Sequence, residues 1–481
     1  MYMGIDLGTS GVKAVVLSAN GDVVGQGQAT LEISRPNPLW SEQDPADWWS
    51  ATNQAIALIA PELRREVRAI GLAGQMHGAV LLDEGDKVLR PAILWNDGRS
   101  HEECSALEKE VPQSREITGN LMMPGFTAPK VAWVRNHEPE VFNKIATVLL
   151  PKDFLRLCMT GDKASDMSDS AGTQWLDVAR RSWSSTMLEA TGLTQRQMPQ
   201  LYEGCDIAGV LEASVAADWG MARVPVVGGA GDNAAGAIGV GVIADGDAML
   251  SLGTSGVIFA ATCEFSPNPG RAVHAFCHCL PEMWHQMTVH LSAASCLDWA
   301  ARQLNYANAH ELIESAMLAG CASGPEIFVP YLSGERTPHN DPHVRAAWML
   351  LNNETSPGRL ASAVLEGIAF AHADGLNALR QAGTHIDRLS VIGGGSRSRY
   401  WGKIIASALD LPIDYLEGGE VGPALGAARL AILGVTKQSP SEVCVRPPVI
   451  ASAEPDPAMT ELLAPKFANY LAAYPGLAAL S

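Results

Sequence analysis

The first thirty residues alternate short apolar runs with Gly- and Asn-containing breaks, a pattern of strand, turn, strand, turn, strand. Asn20-Gly21-Asp22 marks the second turn as a hairpin. Asp44-Pro45 then predicts a helix start, with Asp as the cap and Pro in the first turn, and helical spacing carries Trp48, Ile56 and Ile59 into the core. Strands are expected at residues 67–73, running into Gly74-Gln75-Met76-His77-Gly78, and at residues 92–94, running into Trp95-Asn96-Asp97-Gly98-Arg99. Polar side chains just past strand ends are where open α/β sheets bind ligands. An apolar strand at residues 389–392 leads through Gly393-Gly394-Gly395-Ser396-Arg397-Ser398 into a helix from Tyr400. The Pro- and Ser-rich stretch 438–457 reads as a loop before a last amphipathic helix.

One of these turns is repeated. Gly4-Ile5-Asp6-Leu7-Gly8-Thr9-Ser10-Gly11 and Met249-Leu250-Ser251-Leu252-Gly253-Thr254-Ser255-Gly256 lie 245 positions apart in a chain of 481 residues, which points to a duplicated fold. Each turn joins two apolar strands, so each reads as a hairpin whose glycines bring backbone N–H groups close to a ligand, with hydroxyls beside them. Two facing cradles suit a polyphosphate. The copies differ where Asp6 corresponds to Ser251, so only the first carries a carboxylate for a hard cation such as Mg²⁺. A fainter repeat, Asp232-Asn233-Ala234-Ala235-Gly236-Ala237 and Gly422-Pro423-Ala424-Leu425-Gly426-Ala427, predicts two small-residue helices crossing closely as a hinge between domains.

Composition narrows the reading. The length exceeds one ordinary core and predicts two domains of roughly 200 to 250 residues, here 1–244 and 245–481, with the boundary near Asp245-Gly246-Asp247. A formal net charge of −18 argues against nucleic acid or an anionic membrane as partner, so anionic ligands must be held locally by loops and a metal. Asp6 interrupts any apolar signal core, and no apolar run approaches the roughly 18 residues of a membrane span, so a cytoplasmic protein is expected. Nine scattered cysteines make no disulfide framework, and the cluster His274, Cys277, His278, Cys279 and His285 lacks the paired spacing of a zinc site. A homodimer is expected only because twofold pairs are the commonest assemblies.

Asp232 lies between Gly228-Gly229-Ala230-Gly231 and a helix, where a carboxylate beside closely approached backbone could serve as a general base. An N-cap accounts for the same position equally well. Phosphoryl transfer to an alcohol needs a base, a cation and donors that hold the phosphates in line, parts that Asp232, Asp6 and the two hairpins supply. The Gly393-Gly394-Gly395 turn suits close approach to a flat nucleotide base. Neither a Gly-x-Gly-x-x-Gly turn after the first strand nor a Walker sequence is present.

Together with the hairpins and Gly231-Asp232-Asn233-Ala234-Ala235-Gly236, the segment Gly125-Phe126-Thr127-Ala128-Pro129-Lys130-Val131-Ala132-Trp133 resembles the FGGY carbohydrate kinases, which have an α/β fold of the duplicated actin/hexokinase (ribonuclease H-like) type. The likeness extends from Met1 to about Leu433 and is greatest to the xylulose-phosphorylating members, through 75–78, 40–45, 94–99, 165–169 and Ser333-Gly334-Glu335-Arg336-Thr337-Pro338-His339. The resemblance implies transfer of a phosphoryl group from MgATP to a sugar bound between the domains, in xylose breakdown. It implies that Asp232 is the catalytic base and Asp6 the acid that places Mg²⁺. Met76, His77, Asp232 and Asn233 would contact the ketose, with Trp95 and Asp97 near it. Gly8, Thr9, Ser10, Lys13, Gly253, Thr254 and Ser255 would hold the phosphates, and Gly394, Gly395 and Ser396 the adenosine. The chain departs from the family at Ala346-Ala347-Trp348-Met349-Leu350-Leu351, where glycines are usual, which puts the local turn in question. Kinases of ribulose, gluconate or glycerol, and a nucleotide switch of the actin or chaperone type, are the rival readings.

Overall fold

The computed structural model describes residues 1–417 and 422–480, apart from the side chain of Ser396. The opening pattern folds into three antiparallel strands, β1 (Tyr2–Leu7), β2 (Gly11–Leu17) and β3 (Val23–Thr30). Their apolar positions Met3, Ile5, Leu7, Val12, Ala14 and Val16 are fully buried. β4 (Ile70–Gly74) pairs in parallel with β1, and β5 (Ile207–Val210) lies antiparallel to β6 (Pro225–Val227), which is parallel to β4. A short β7 (Ala230–Gly231) continues alongside β4. The sheet order is therefore β3-β2-β1-β4-β6-β5.

The second half repeats this order. β8 (Ala248–Leu252) and β9 (Gly256–Thr262) form the second hairpin; β10 (His274–Cys277) and β11 (Trp284–His290) follow, then β12 (Leu389–Ile392), β13 (Ile413–Leu416) and β14 (Val449–Ala453). The sheet runs β10-β11-β9-β8-β12-β13-β14, with β11-β9-β8 antiparallel, β8-β12-β13 parallel and β14 an antiparallel edge. Leaving out β10, β7 and the antiparallel edge strands β5 and β14, the two sheets have the same strand order and the same strand directions; β5 comes before its neighbour β6 in the chain, whereas β14 comes after β13. The repeated hairpins imply such a duplication, and the resemblance to the FGGY kinases implies its actin/hexokinase-type form.

The predicted helix forms over Pro45–Ala57, with Asp44 accepting from the Ala46 N–H and Trp48 and Ile56 buried. The two small-residue segments become α1 (Asp232–Gly239) and α2 (Pro423–Thr436). They cross so closely that a Cβ added at Gly426 would stand 1.8 Å from the carbonyl oxygen of Ala235. On its other side α2 lies against β1, where a Cβ at Gly4 would meet the carbonyl of Ala424 at 1.9 Å. One apolar core cluster, including Ala73, Ala235, Phe259 and Ala431, consequently runs through both halves.

Two regions differ from expectation or resolve it. Residues 438–457 are not all loop: they contain a short helix, Pro440–Val443, and the strand β14. As an edge strand β14 leaves Val449 and Ile450 about half exposed (47% and 59%), so it carries no buried alternation for a pattern to reveal. In the departing segment, Ala347–Met349 forms a strand on Ile327–Val329, and Trp348 stacks on Trp299 with ring centroids 5.2 Å apart. The bulk is used in packing, although Leu350 then adopts a left-handed φ of 60°. Among the described residues no helix is long and apolar enough to cross a membrane.

Candidate active site

The strand registers bring two carboxylates to one end of the first sheet. Asp6 stands opposite Ala73 and Ala73 opposite Ala230, so Asp6, and Asp232 just after β7, lie at the carboxyl ends of the two strands that flank β4. Oδ1 of Asp6 is buried and, among the described residues, has no hydrogen-bond partner. Burial, and then repulsion from Asp232, raise its pKa to about 7, partly offset by Lys13, its neighbour across the hairpin. A carboxylate with an orphaned oxygen beside a second acid fits a divalent cation. Mg²⁺ is held by one or two carboxylates with waters and substrate phosphates, so this donor set is sufficient.

Asp232 is the first residue of α1, and Gly231 occupies the N-cap. Both hydrogen bonds to its carboxylate fall on Oδ1, from the Asn233 N–H at 2.7 Å and Asn233 Nδ2 at 2.9 Å. Among the described residues Oδ2 has no hydrogen bond. Burial raises the pKa of Asp232 to about 6 and outweighs the Asn233 donors that lower it. The group is thus ionised at neutral pH, yet far more basic than an exposed aspartate.

The chain entering Asp232 is anchored from below by buried ions. Lys152 Nζ lies 2.6 Å from Asp153 and 2.7 Å from Asp166, and Arg156 pairs with Asp153 at 2.9 Å, all four side chains inaccessible to solvent. Burial works against the Lys152 charge, but Asp153, Asp166 and Asp169 outweigh it and hold the ammonium above its ordinary value. Arg156 donates to the carbonyl of Gly228, while Ser168 donates to Asp166 at 2.5 Å and accepts from the Gly231 N–H at 3.2 Å. The two ends of the turn before the candidate base are thereby fixed.

A pocket of about 230 Å³ opens between the halves, lined from the first by Met76, His77, Trp95, Phe126, Asp232 and Asn233 and from the second by Ser251, Ser255, His274, Phe276, Val289 and Arg336. His77 is held at a left-handed φ of 67° by Lys130 Nζ, which donates to its carbonyl at 2.8 Å. Its ring Nδ1 lies 2.9 Å from the Gly172 carbonyl, and burial, Lys130 and Arg336 depress its pKa to about 3. A neutral ring that donates from Nδ1 presents Nε2 as an acceptor. Trp95 donates from Nε1 to Thr9 Oγ1 at 2.9 Å, and Thr9 donates onward to Gln75, coupling the pocket wall to the first hairpin.

The second hairpin is shared between two cavities. Ser251 and Ser255 face the small pocket, whereas Gly253 and Thr254 line a larger one of about 850 Å³ with Gly394, Gly395, Ile313, Met317 and Tyr400. Ligand pockets of about 300–1,000 Å³ accommodate molecules of nucleotide size, and the smaller cavity suits a small polyol. In the first hairpin the Gly8 N–H closes on the Gly11 carbonyl, with the Ser10 side chain exposed and Lys13 half-buried on β2.

One expected site residue lies off the pocket wall, and another falls outside the described residues. Asp97 is not on the pocket wall: it is 2% exposed, and Arg99 and the Ser41 N–H take up both its oxygens. Arg99 also pairs with Glu42 at 2.7 Å and lies 3.7 Å over the Trp40 ring, so the 40–45 and 94–99 segments lock each other in place. The side chain of Ser396 lies outside the described residues. Conversely, Phe126, His274, Phe276 and Arg336 were not singled out as pocket residues, although Phe126 and Arg336 stand in segments that carry the family likeness.

Comparison with known proteins identifies the family. The model of the N-terminal domain of the FGGY family of carbohydrate kinases matches residues 1–239, and that of the C-terminal domain matches 248–435. The xylulose kinase of Escherichia coli K12 is 57% identical over 432 residues, 90% of this chain and 89% of that protein. The xylulose kinase of Klebsiella pneumoniae is 54% identical over 458 residues, 95% of each. The crystal structure of a "xyloylose kinase" from Brucella ovis superposes with a TM-score of 0.96 at 50% identity, covering all of both chains. This chain belongs to the FGGY family of carbohydrate kinases.

Proposed function

We propose that the chain is an ATP-dependent xylulose kinase, forming D-xylulose 5-phosphate and ADP. The observation that carries the reading is the second hairpin, which borders the small pocket beside Asp232 on one side and the nucleotide-sized pocket on the other. The γ-phosphate of ATP bound in the larger cavity would enter the smaller one beside Asp232. The relatives at 54–57% identity support xylulose as the acceptor.

In this mechanism Met76, His77, Trp95 and Asn233 orient the sugar, and Asp232 Oδ2 accepts the proton of the 5-hydroxyl. The oxygen forms a bond to the γ-phosphorus as the bond to the ADP oxygen breaks in line, and the proton leaves Asp232 for solvent after release. Gly8, Thr9, Ser10 and Lys13 on one side, and Gly253, Thr254 and Ser255 on the other, hold the phosphate chain. Gly394, Gly395 and Ser396 receive the adenosine. Asp6 would hold Mg²⁺, which when bound neutralises phosphate charge. Closure of the halves about the α1–α2 contact would exclude water.

ADP release with MgATP across D-xylulose, L-ribulose, D-ribulose, gluconate and glycerol tests the reading. Preference for D-xylulose is expected; preference for another acceptor would keep the kinase and change its substrate, and ATP turnover indifferent to any sugar would overturn both.

A further inference from the structure

The acceptor pocket contains a cation that this mechanism leaves unused. Among the described residues no hydrogen bond or ion pair takes up the guanidinium of Arg336, although the residue is mostly buried and lines the pocket. Its position is set by its neighbours. The Arg336 N–H donates to Glu335 at 2.7 Å, and Thr337 exchanges two 3.0 Å hydrogen bonds with the backbone of Val289 on β11. In the sheet, Val289 stands opposite Val257, and Val257 opposite Ser251 on the phosphate-bearing strand β8. Two strand spacings of about 4.8 Å therefore separate Val289 from Ser251, and the Arg336-Thr337 backbone lies one further hydrogen-bonded step beyond Val289. The guanidinium shares the pocket wall with His77 and His274 and depresses the pKa values of both. Arg336 thus enters the pocket from the β11 side, beside His77 and His274, and not from the strand that carries Ser251.

The chemistry of the acceptor gives that position a meaning. In ring-closed xylulose the 5-oxygen is part of the ring, so a free 5-hydroxyl exists only in the open-chain form. That form carries a carbonyl at C2, three carbons from C5. We propose that Arg336 is an acceptor-specificity residue whose guanidinium donates to an sp² oxygen at the end of the acceptor remote from phosphorylation, the C2 carbonyl of the open-chain ketose. A planar fork of N–H donors suits a carbonyl oxygen, and suits a carboxylate better because the charges also pair. D-threonate, in which a carboxylate replaces the C1–C2 hydroxyketone and the remaining carbinol centres are those of the sugar, is then a ligand of the pocket. Xylitol and D-arabinitol, the two products of reducing C2, offer hydroxyls there and are poorer acceptors.

This inference rests on the xylulose kinase reading. The test compares kcat/KM for D-xylulose with that for the two pentitols in the unmodified protein, Arg336→Gln and Arg336→Lys, with D-threonate added as a competitor. The ketose preference should fall by about 10- to 100-fold in the Gln variant, chiefly through KM for the ketose, as expected for loss of a hydrogen bond to a charged donor. Competition by threonate should disappear with it, and the Lys variant should retain part of both. A Gln variant that keeps the preference overturns the proposal, as does one that loses turnover equally on ketose and pentitol, which would place the guanidinium on the transferring phosphoryl group. The threonate arm needs only the unmodified protein, so a misfolded variant does not shield the proposal: absence of competition overturns it. An unmodified protein inactive on D-xylulose overturns the functional reading and this inference together, whereas an active one with an insensitive Arg336→Gln overturns the inference alone.

Discussion

The two halves of the molecule share a strand order and differ in what their hairpins carry. In the first, Asp6 stands in the strand before the glycines, and the turn closes from Gly8 to Gly11. In the second, Ser251 occupies the equivalent place, and the turn closes more tightly, from Gly253 to Ser255. The first half also inserts the long stretch between β4 and β5, which supplies His77, Trp95 and the buried ion network under Asp232. The second half adds β10 and the helices around the larger cavity. The repeat therefore carries two similar hairpins; in the proposed mechanism the first half supplies the two carboxylates, the second the larger, nucleotide-sized cavity, and both line the acceptor pocket.

The sharpest way to break this division is at the carboxylates. Asp232→Asn should lower kcat by about 10²- to 10⁴-fold, the usual contribution of a positioned base, with little change in KM for ATP. With the base raised to about 6, kcat/KM of the unmodified protein should fall tenfold per unit below pH 6, and a profile flat to pH 5 would remove Asp232 from that role. Next in size, Asp6→Ser makes the first hairpin a copy of the second. Since metal-ion charge stabilisation is worth several kcal/mol, turnover should drop by about 100-fold or more, and Ser251→Asp should not restore it. Asp6 also carries a stability signature. Its pKa is raised in the fold, so its ionised form is disfavoured there. Asp6→Asn should therefore melt higher than the parent without Mg²⁺ above pH 7, and the gain should vanish below about pH 4, near the ordinary aspartate value.

Smaller effects probe the joint and the departing segment. Gly426→Ala drives a methyl against the Ala235 carbonyl and should cost about 1–3 kcal/mol in denaturant unfolding, as overpacking does. Leu350→Gly relieves a left-handed backbone at a residue 51% exposed and should stabilise by about 1 kcal/mol, read as a rise in melting temperature. An unchanged Gly426→Ala would mean that the α1–α2 contact is looser than the geometry requires.

Much of this was legible in the residues alone, because it is local. Hairpins announce themselves through glycines between apolar runs, the helix at Pro45 through its cap and proline, and the close α1–α2 crossing through small residues at helical spacing. The edge strand β14 was not legible, since an exposed strand has no buried face to write into the sequence. Nor was the fate of Asp97: a carboxylate just past a strand end is equally suited to a ligand or to an ion pair. The partner that decides, Arg99 shared with Glu42, is selected by folding.

The residues alone carried the duplicated α/β plan, the two matching Gly-Thr-Ser-Gly turns and the asymmetry of Asp6 against Ser251, all properties of neighbouring residues and of a repeat. Tertiary folding alone set the second hairpin between two cavities, Lys152 and Arg156 under the turn before Asp232, and Arg336, whose guanidinium has no hydrogen bond or ion pair among the described residues, in the same pocket wall as His77. Those contacts join residues tens to hundreds of positions apart, and burial and charge pairing act through space rather than along the chain.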